Sequence, residues 1–221
     1  FLSAAILAAV VSAYAQGNAQ GGKGKGKSGG SGIYSYGDLT ISGGKIQKAT
    51  GGASTDGNGG SGIFSGSNLT ISGGTIETAQ GGKGNASGGM GIRSGGTLTI
   101  SDNATITNAT GGASTDGYAG DGIHSDGKLT ISGGTIGTAQ GGDGNASGGS
   151  GILGKTMEIL AGTIQKAIGG NASNGSGGSG IRSNGNGTLT IKGGKIEQAT
   201  GGDSEKYGGS GIYSSSKLTI S

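Results

Sequence analysis

Read as apolar and polar positions, the chain carries a short alternation that returns about every thirty residues. Ser61 to Gly82, SGIFSGSNLTISGGTIETAQGG, shows the unit. It holds three small apolar patches: Gly62 to Ser65, Leu69 to Ser72, and Thr75 to Ala79. In Leu-Thr-Ile-Ser the period is two, that of a strand with one buried face. Aligned on this leucine, the copies fall at Leu39, Leu69, Leu98, Leu129, Leu189 and Leu218, with Met157 in a degenerate copy. The steps are 30, 29, 31, 28, 32 and 29 residues. A fixed period of this size marks a stacked repeat. No unit contains an apolar run of helical length, and leucine-rich repeats need another leucine spacing.

Three short strands per turn, each lying over its copy in the next, predict an all-β parallel β-helix of about seven coils. The predicted inward columns are isoleucine. The first runs Ile33, Ile63, Ile92, Ile123, Ile152, Ile181 and Ile212, and the second starts at Ile41 and Ile71. The third starts at Ile46 and Ile76, and Ala49, Ala79, Ala109, Ala139, Ala167 and Ala199 supply small residues. β-Branched and small side chains suit a narrow interior. At a strand spacing of about 4.8 Å the rod is on the order of 30 Å long. Gly-Gly pairs such as Gly73-Gly74 and Gly133-Gly134 separate the second and third patches, and Asp102-Asn103 takes their place once. Asn tolerates left-handed backbone angles, so the same turn is expected there.

The loops between the alanine and the next isoleucine alternate. Gly51 to Gly60 (GGASTDGNGG) matches Gly111 to Gly120 (GGASTDGYAG), and Gly81 to Gly89 (GGKGNASGG) matches Gly141 to Gly149 (GGDGNASGG). The true unit is therefore a block of two coils. Sixty glycines in 221 residues would ordinarily suggest disorder. The aliphatic columns argue against that for the coils. For the loops two states stay open: mobile, or packed as extended polyglycine-like strands.

Phe1 to Ala15, FLSAAILAAVVSAYA, is apolar and ends in the Ala-x-Ala pattern of a signal-peptidase site. It is expected to be a secretory leader that lacks its start. Residues 16 to 221 then form one β-helix domain, expected to continue beyond Ser221 because no capping segment closes the last coil. No span of the mature part is expected to cross a membrane. The expected location is secreted or on the cell surface. An open solenoid end also allows end-to-end self-association.

The absence of cysteine excludes disulfides, cysteine-zinc sites and thiol catalysis. A net charge of +3 with dispersed basic residues predicts no nucleic-acid partner. The twelve acidic residues form no paired column suited to general acid and base work, so no catalytic residues are assigned and the chain is read as no enzyme. No cofactor is assigned. Calcium is the one candidate, from glycine-rich runs near the G-G-x-G-x-D pattern, but Ala86 and Ala146 stand where the aspartate belongs.

Two outward columns are candidate surfaces. The first is the x of G-I-x-S: Tyr34, Phe64, Arg93, His124, Leu153, Arg182 and Tyr213. The preceding isoleucine faces inward, so these face out. Of them Tyr34, Phe64, Arg93, His124, Arg182 and Tyr213 can stack on sugar rings and donate hydrogen bonds to them. The alternative is a hydroxyl face made of Thr40, Ser42, Thr70, Ser72, Thr99, Ser101, Thr130 and Ser132. It is similar to the Thr-x-Thr face of β-solenoid ice-binding proteins.

The runs Gly32 to Gly44 and Gly122 to Ile136 resemble the G-I-x-S-x-G-x-L-T-I-x-G-G-T-I repeat of secreted bacterial right-handed β-helix proteins. That group includes a carbohydrate-binding family from polysaccharide-degrading bacteria. More distantly the runs resemble β-helical adhesin and autotransporter passenger domains. The resemblance implies a right-handed solenoid and a polysaccharide or cell-surface glycan as partner. Its rivals are a purely structural surface rod or adhesin stalk, and an ice-binding protein.

Overall fold

The computed structural model describes Val10–Val11 and residues 16 to 221. The expected leader lies outside the described residues except for Val10–Val11, whose backbone pairs in parallel with Thr40 and Ile41. Sixteen strands, all pairing in parallel, stack as a β-solenoid, and no helix occurs among the described residues. Each typical coil contributes a three-residue strand such as Ile63–Ser65. A longer stretch follows, such as Leu69–Gln80, which turns a corner at its Gly-Gly pair.

The register is one to one. Ile63 pairs with Ile33 and Ile92, Leu69 with Leu39 and Leu98, and Ile76 with Ile46 and Ile106. A slip of one residue would turn every isoleucine out to solvent, so the burial of one face fixes the pairing. The columns form one continuous core. Ile63, Leu69, Ile71, Ile76 and Ala79 are fully buried, as are their counterparts in the next two coils. In the degenerate coil Met157 is also fully buried and pairs with Leu129 and Leu189. An unbranched thioether fills a leucine site with little loss.

The corners are fastened by a residue the repeat conserves in every regular coil, the serine of G-I-x-S. Ser65 Oγ faces the carbonyls of Asn68 and of Gly37 one coil below, each at 2.8 Å. Ser94 faces Thr97 and Ser67 at 2.7 and 2.9 Å, and Ser125 faces Lys128 and Gly96. These hydroxyls are completely buried. Each satisfies turn carbonyls that would otherwise be stranded in the interior. The second corner needs a left-handed residue, and Gly44, Gly74, Gly134, Gly162 and Gly194 take φ between 74° and 90°. In the third regular coil the turn persists, but Asp102 (φ 51°) takes the left-handed conformation, not Asn103. Its carboxylate accepts a hydrogen bond from Ser101 Oγ at 3.0 Å, a local bond of the kind that lets Asp occupy this region.

The loops are packed. Each folds back so that its two arms lie side by side, and the arms of successive coils interleave. Gly30 N–H donates to the Gly22 carbonyl, Gly52 to Gly30, Gly60 to Gly52 and Gly82 to Gly60. The ladder continues through Gly89, Gly112, Gly120, Gly142, Gly149, Gly170, Gly178 and Gly202 to Gly209, in bonds of 2.7–2.9 Å. It runs the length of the rod as a second hydrogen-bonded layer beside the strands. The approach leaves no room for a side chain: a Cβ on Gly112 would be driven into the carbonyl of Gly82. The two-coil alternation shows here as well. Buried Ser54 and Ser114 of one loop type reach carbonyls of the coil below, Lys27 and Asn85. The other type presents Gly24, Gly84 and Gly144 at the same column.

Replacing Gly112 by Ala should therefore cost about 3 kcal/mol or more by overpacking against backbone that cannot move aside. Gly37 has open space where its Cβ would stand and ordinary backbone angles. Gly37→Ala should be neutral to within about 1 kcal/mol. Urea unfolding of the two variants measures the difference.

Candidate ligand-binding strip

The G-I-x-S strands place the x residues in one column, one coil apart. Tyr34 pairs with Phe64, Phe64 with Arg93, Arg93 with His124, His124 with Leu153, Leu153 with Arg182 and Arg182 with Tyr213. At one end the Tyr34 and Phe64 rings lie 5.3 Å apart, tilted by 32°. The Arg93 guanidinium lies over the other side of Phe64, 5.5 Å from its centre. Arg182 repeats the contact with Tyr213 at 5.4 Å. Tyr34 and Tyr213 are nearly half exposed. Leu153 is 8% exposed, so the column is continuous in the backbone while its accessible surface divides into two segments. A recess of about 260 Å³ lies at the division, bordered by His124, Asp126, Leu153, Lys155 and Asn184.

His124 is the centre of a charged network that its sequence neighbours supply. Its Nδ1 lies 2.6 Å from Asp121 Oδ2, and its Nε2 lies 3.0 Å from Asp126 Oδ1. Asp121 is itself buried and accepts a bond from the Ser150 backbone N–H at 2.6 Å. Asp126 Oδ2 accepts from Arg93 Nε at 3.2 Å and Nη2 at 2.9 Å. Burial works strongly against a charged imidazole here. The hydrogen bonds and charges of Asp121 and Asp126 together outweigh it and raise the His124 pKa to about 9. The hydrogen bond from His124 chiefly, with the Arg93 charge and against partial burial, lowers Asp126 to about 2. Asp121 and Asp126 were not among the candidates from sequence. Their signal was local: strand alternation puts positions 124 and 126 on one side, and the only histidine of the chain carries an acid at −3 and at +2.

In the hydroxyl face, Thr40, Thr70, Thr99 and Thr130 stand in direct register. The serines do not follow them. Ser42 pairs with Gly73 and Ser132 with Ala161, because the register shifts at the corner. Ser72 and Ser101 are half-buried, while Ser42 and Ser132 are exposed. Glu158 interrupts the threonine column between Thr130 and Thr190 and pairs with Lys128 at 2.8 Å. For calcium, no group of three or more histidine, aspartate or glutamate side chains among the described residues is arranged to hold a metal ion. Asp143 Oδ1 accepts the Asn171 N–H at 2.7 Å, and Asp56 accepts the Thr55 hydroxyl at 3.0 Å. No family model, curated protein or solved structure matches this chain.

The shifted pKa values define a pH window. His124 is raised in the folded state, so the stability it contributes is full below about 6.5 and is lost as pH rises through about 9. Asp126 is lowered, so its contribution is full above about 3.8 and is lost as pH falls through about 2. The network should therefore be most stabilising between these limits. The single histidine makes the check direct: its ring protons should titrate near pH 9 by NMR. Asp121→Asn should move the midpoint down toward 6.5, and an ordinary midpoint in the unsubstituted chain would contradict the network.

Proposed function

We propose that the chain is a non-catalytic extracellular module that holds a polysaccharide or cell-surface glycan along the G-I-x-S strip. The observation that carries this reading is the tilted Tyr34–Phe64 pair with Arg93 beside it. Phe64 packs against Tyr34 and Arg93, and with the half-exposed Tyr34 ring it presents an apolar surface beside a cation, along which a sugar chain can pack. The rigid ladder beneath adds to it, because a preorganised platform loses little entropy on binding. Repetition also favours weak contacts summed along a polymer over one strong contact. The resemblance to secreted carbohydrate-binding β-helices points the same way, as does the apolar leader-like start of the chain, which suggests secretion or display at the cell surface.

A second reading has its own support. Phe64, Arg93, Asp126 and His124 are satisfied by one another. Such a cluster also shields the ladder of a purely structural rod or adhesin stalk. The threonine column keeps the ice-binding reading as a third, weakened by the register shift of its serines.

Co-sedimentation with a panel of insoluble and gelled polysaccharides, with and without calcium, separates the readings. Saturable binding to one polymer is expected, together with loss of at least about tenfold in affinity in the Phe64→Ala, Arg93→Ala, His124→Ala triple variant, checked by circular dichroism to be folded. Absence of binding to every polymer by folded protein would move the assignment to the structural rod.

A further inference from the structure

Two arginines occupy equivalent places on the strip, one against a ring of the coil before and one against a ring of the coil after, and only one is neutralised. Arg93 and Arg182 both follow the isoleucine of a G-I-R-S strand, and each lies against an aromatic ring. The coil after Arg93 brings up Asp121, His124 and Asp126. The coil after Arg182 presents Ser210, Tyr213 and Ser215 at those positions. Both carboxylates are thus replaced by serine. No ion pair among the described residues involves Arg182. Its Nε is the one buried side-chain polar atom among them without a hydrogen-bond partner. The buried Nε is out of a ligand's reach, but the side chain as a whole is only half-buried and its charge has no acidic partner among the described residues. Tyr213 holds the guanidinium by stacking, which leaves its charge uncompensated.

The surroundings suit an anion. Arg182 and Tyr213 border an open recess of about 150 Å³, with Ser176, Ser179, Tyr207 and Ser210 among the other residues lining it. The acids of that coil, Asp203 and Glu205, border a different recess with Asn171 and Ser173. We infer that the recess at Arg182 is a subsite for a tetrahedral oxyanion, such as a sulfate or phosphate ester carried by a glycan. A guanidinium with several hydroxyls around it can serve three oxygens, where a planar carboxylate offers two. The subsite deepens the binding-module reading and rests on it: it selects which polymers are held. Arg93, neutralised by Asp126, takes the neutral part of the same chain.

The test is titration of the chain at low ionic strength with dextran sulfate, polygalacturonate and unmodified dextran, and with inorganic sulfate and phosphate as competitors. Dextran sulfate should bind, and either inorganic anion should displace it. Arg182→Gln should weaken binding at least about tenfold, the loss of one charge-assisted contact. Ser215→Asp should weaken it comparably by supplying the missing counter-charge while leaving Arg182 in place. Lys83→Gln, which removes an equal charge from an exposed loop, should change it less than about twofold. Equal losses in Arg182→Gln and Lys83→Gln would show diffuse attraction and overturn the subsite. Polygalacturonate binding as tightly, with the same dependence on Arg182, would overturn the tetrahedral preference. Failure to bind dextran sulfate while a neutral polymer of the co-sedimentation panel still binds would sink the subsite alone. Failure to bind any polymer would sink both it and the binding module.

Discussion

Hydrogen bonding from each coil to the next is the constraint on which the rest depends. The ladder repeats at about 4.8 Å, so every coil must follow nearly the same backbone path as its neighbours. The aliphatic columns follow from this, because a position that faces inward in one coil faces inward in all. So do the fixed places of the corner serine and the left-handed corner residue. A substitution is tolerated where it keeps the path. Met157 replaces a leucine without breaking register, and Asp102 replaces a glycine at a turn one residue longer. With no cysteine available, cohesion comes from this repeated backbone and the narrow core it encloses.

The glycine content is a second consequence of the same constraint. The loop arms close on one another largely through backbone, and the zigzag from Gly22 to Gly209 joins every coil to the next. From Gly52 onward glycine is needed because backbone lies where its Cβ would be. Its cost is a larger loss of chain entropy on folding. The ladder offsets that cost with a hydrogen bond at each step. In one loop column Ser54 and Ser114, which reach carbonyls of the coil below, alternate with Gly24, Gly84 and Gly144, and Ala172 ends the alternation before Ser204.

The strip shows how a repeating scaffold acquires local character. Its backbone is uniform, so differences along it come from side chains and from what the neighbouring coil places beside them. Around His124, two carboxylates and one guanidinium compensate one another in a partly buried site. Three coils from Arg93 the same backbone carries Arg182, with serines where those carboxylates stood. Among the described residues charge is paired at Arg93 and is not paired at Arg182. Such asymmetry gives the surface a direction along its axis.

The sequence by itself determined the solenoid, its coil length and its aliphatic columns. A stacked repeat writes its contacts into its own period, so Ile63 over Ile33 or Tyr34 over Phe64 can be read from alignment alone. The two-coil block was legible for the same reason. Only the tertiary structure decided that the loops pack and that Asp102 turns left-handed. It alone placed Asp121 and Asp126 on His124, with Arg93 tied to Asp126 and Arg182 free. The reason is that period fixes which residues share a column but not how far side chains reach between columns. Nor does it fix how two glycine arms hydrogen-bond across a fold-back. Those depend on distances of a few ångströms, set by the path of the chain through the corners, and a repeat pattern carries no record of them.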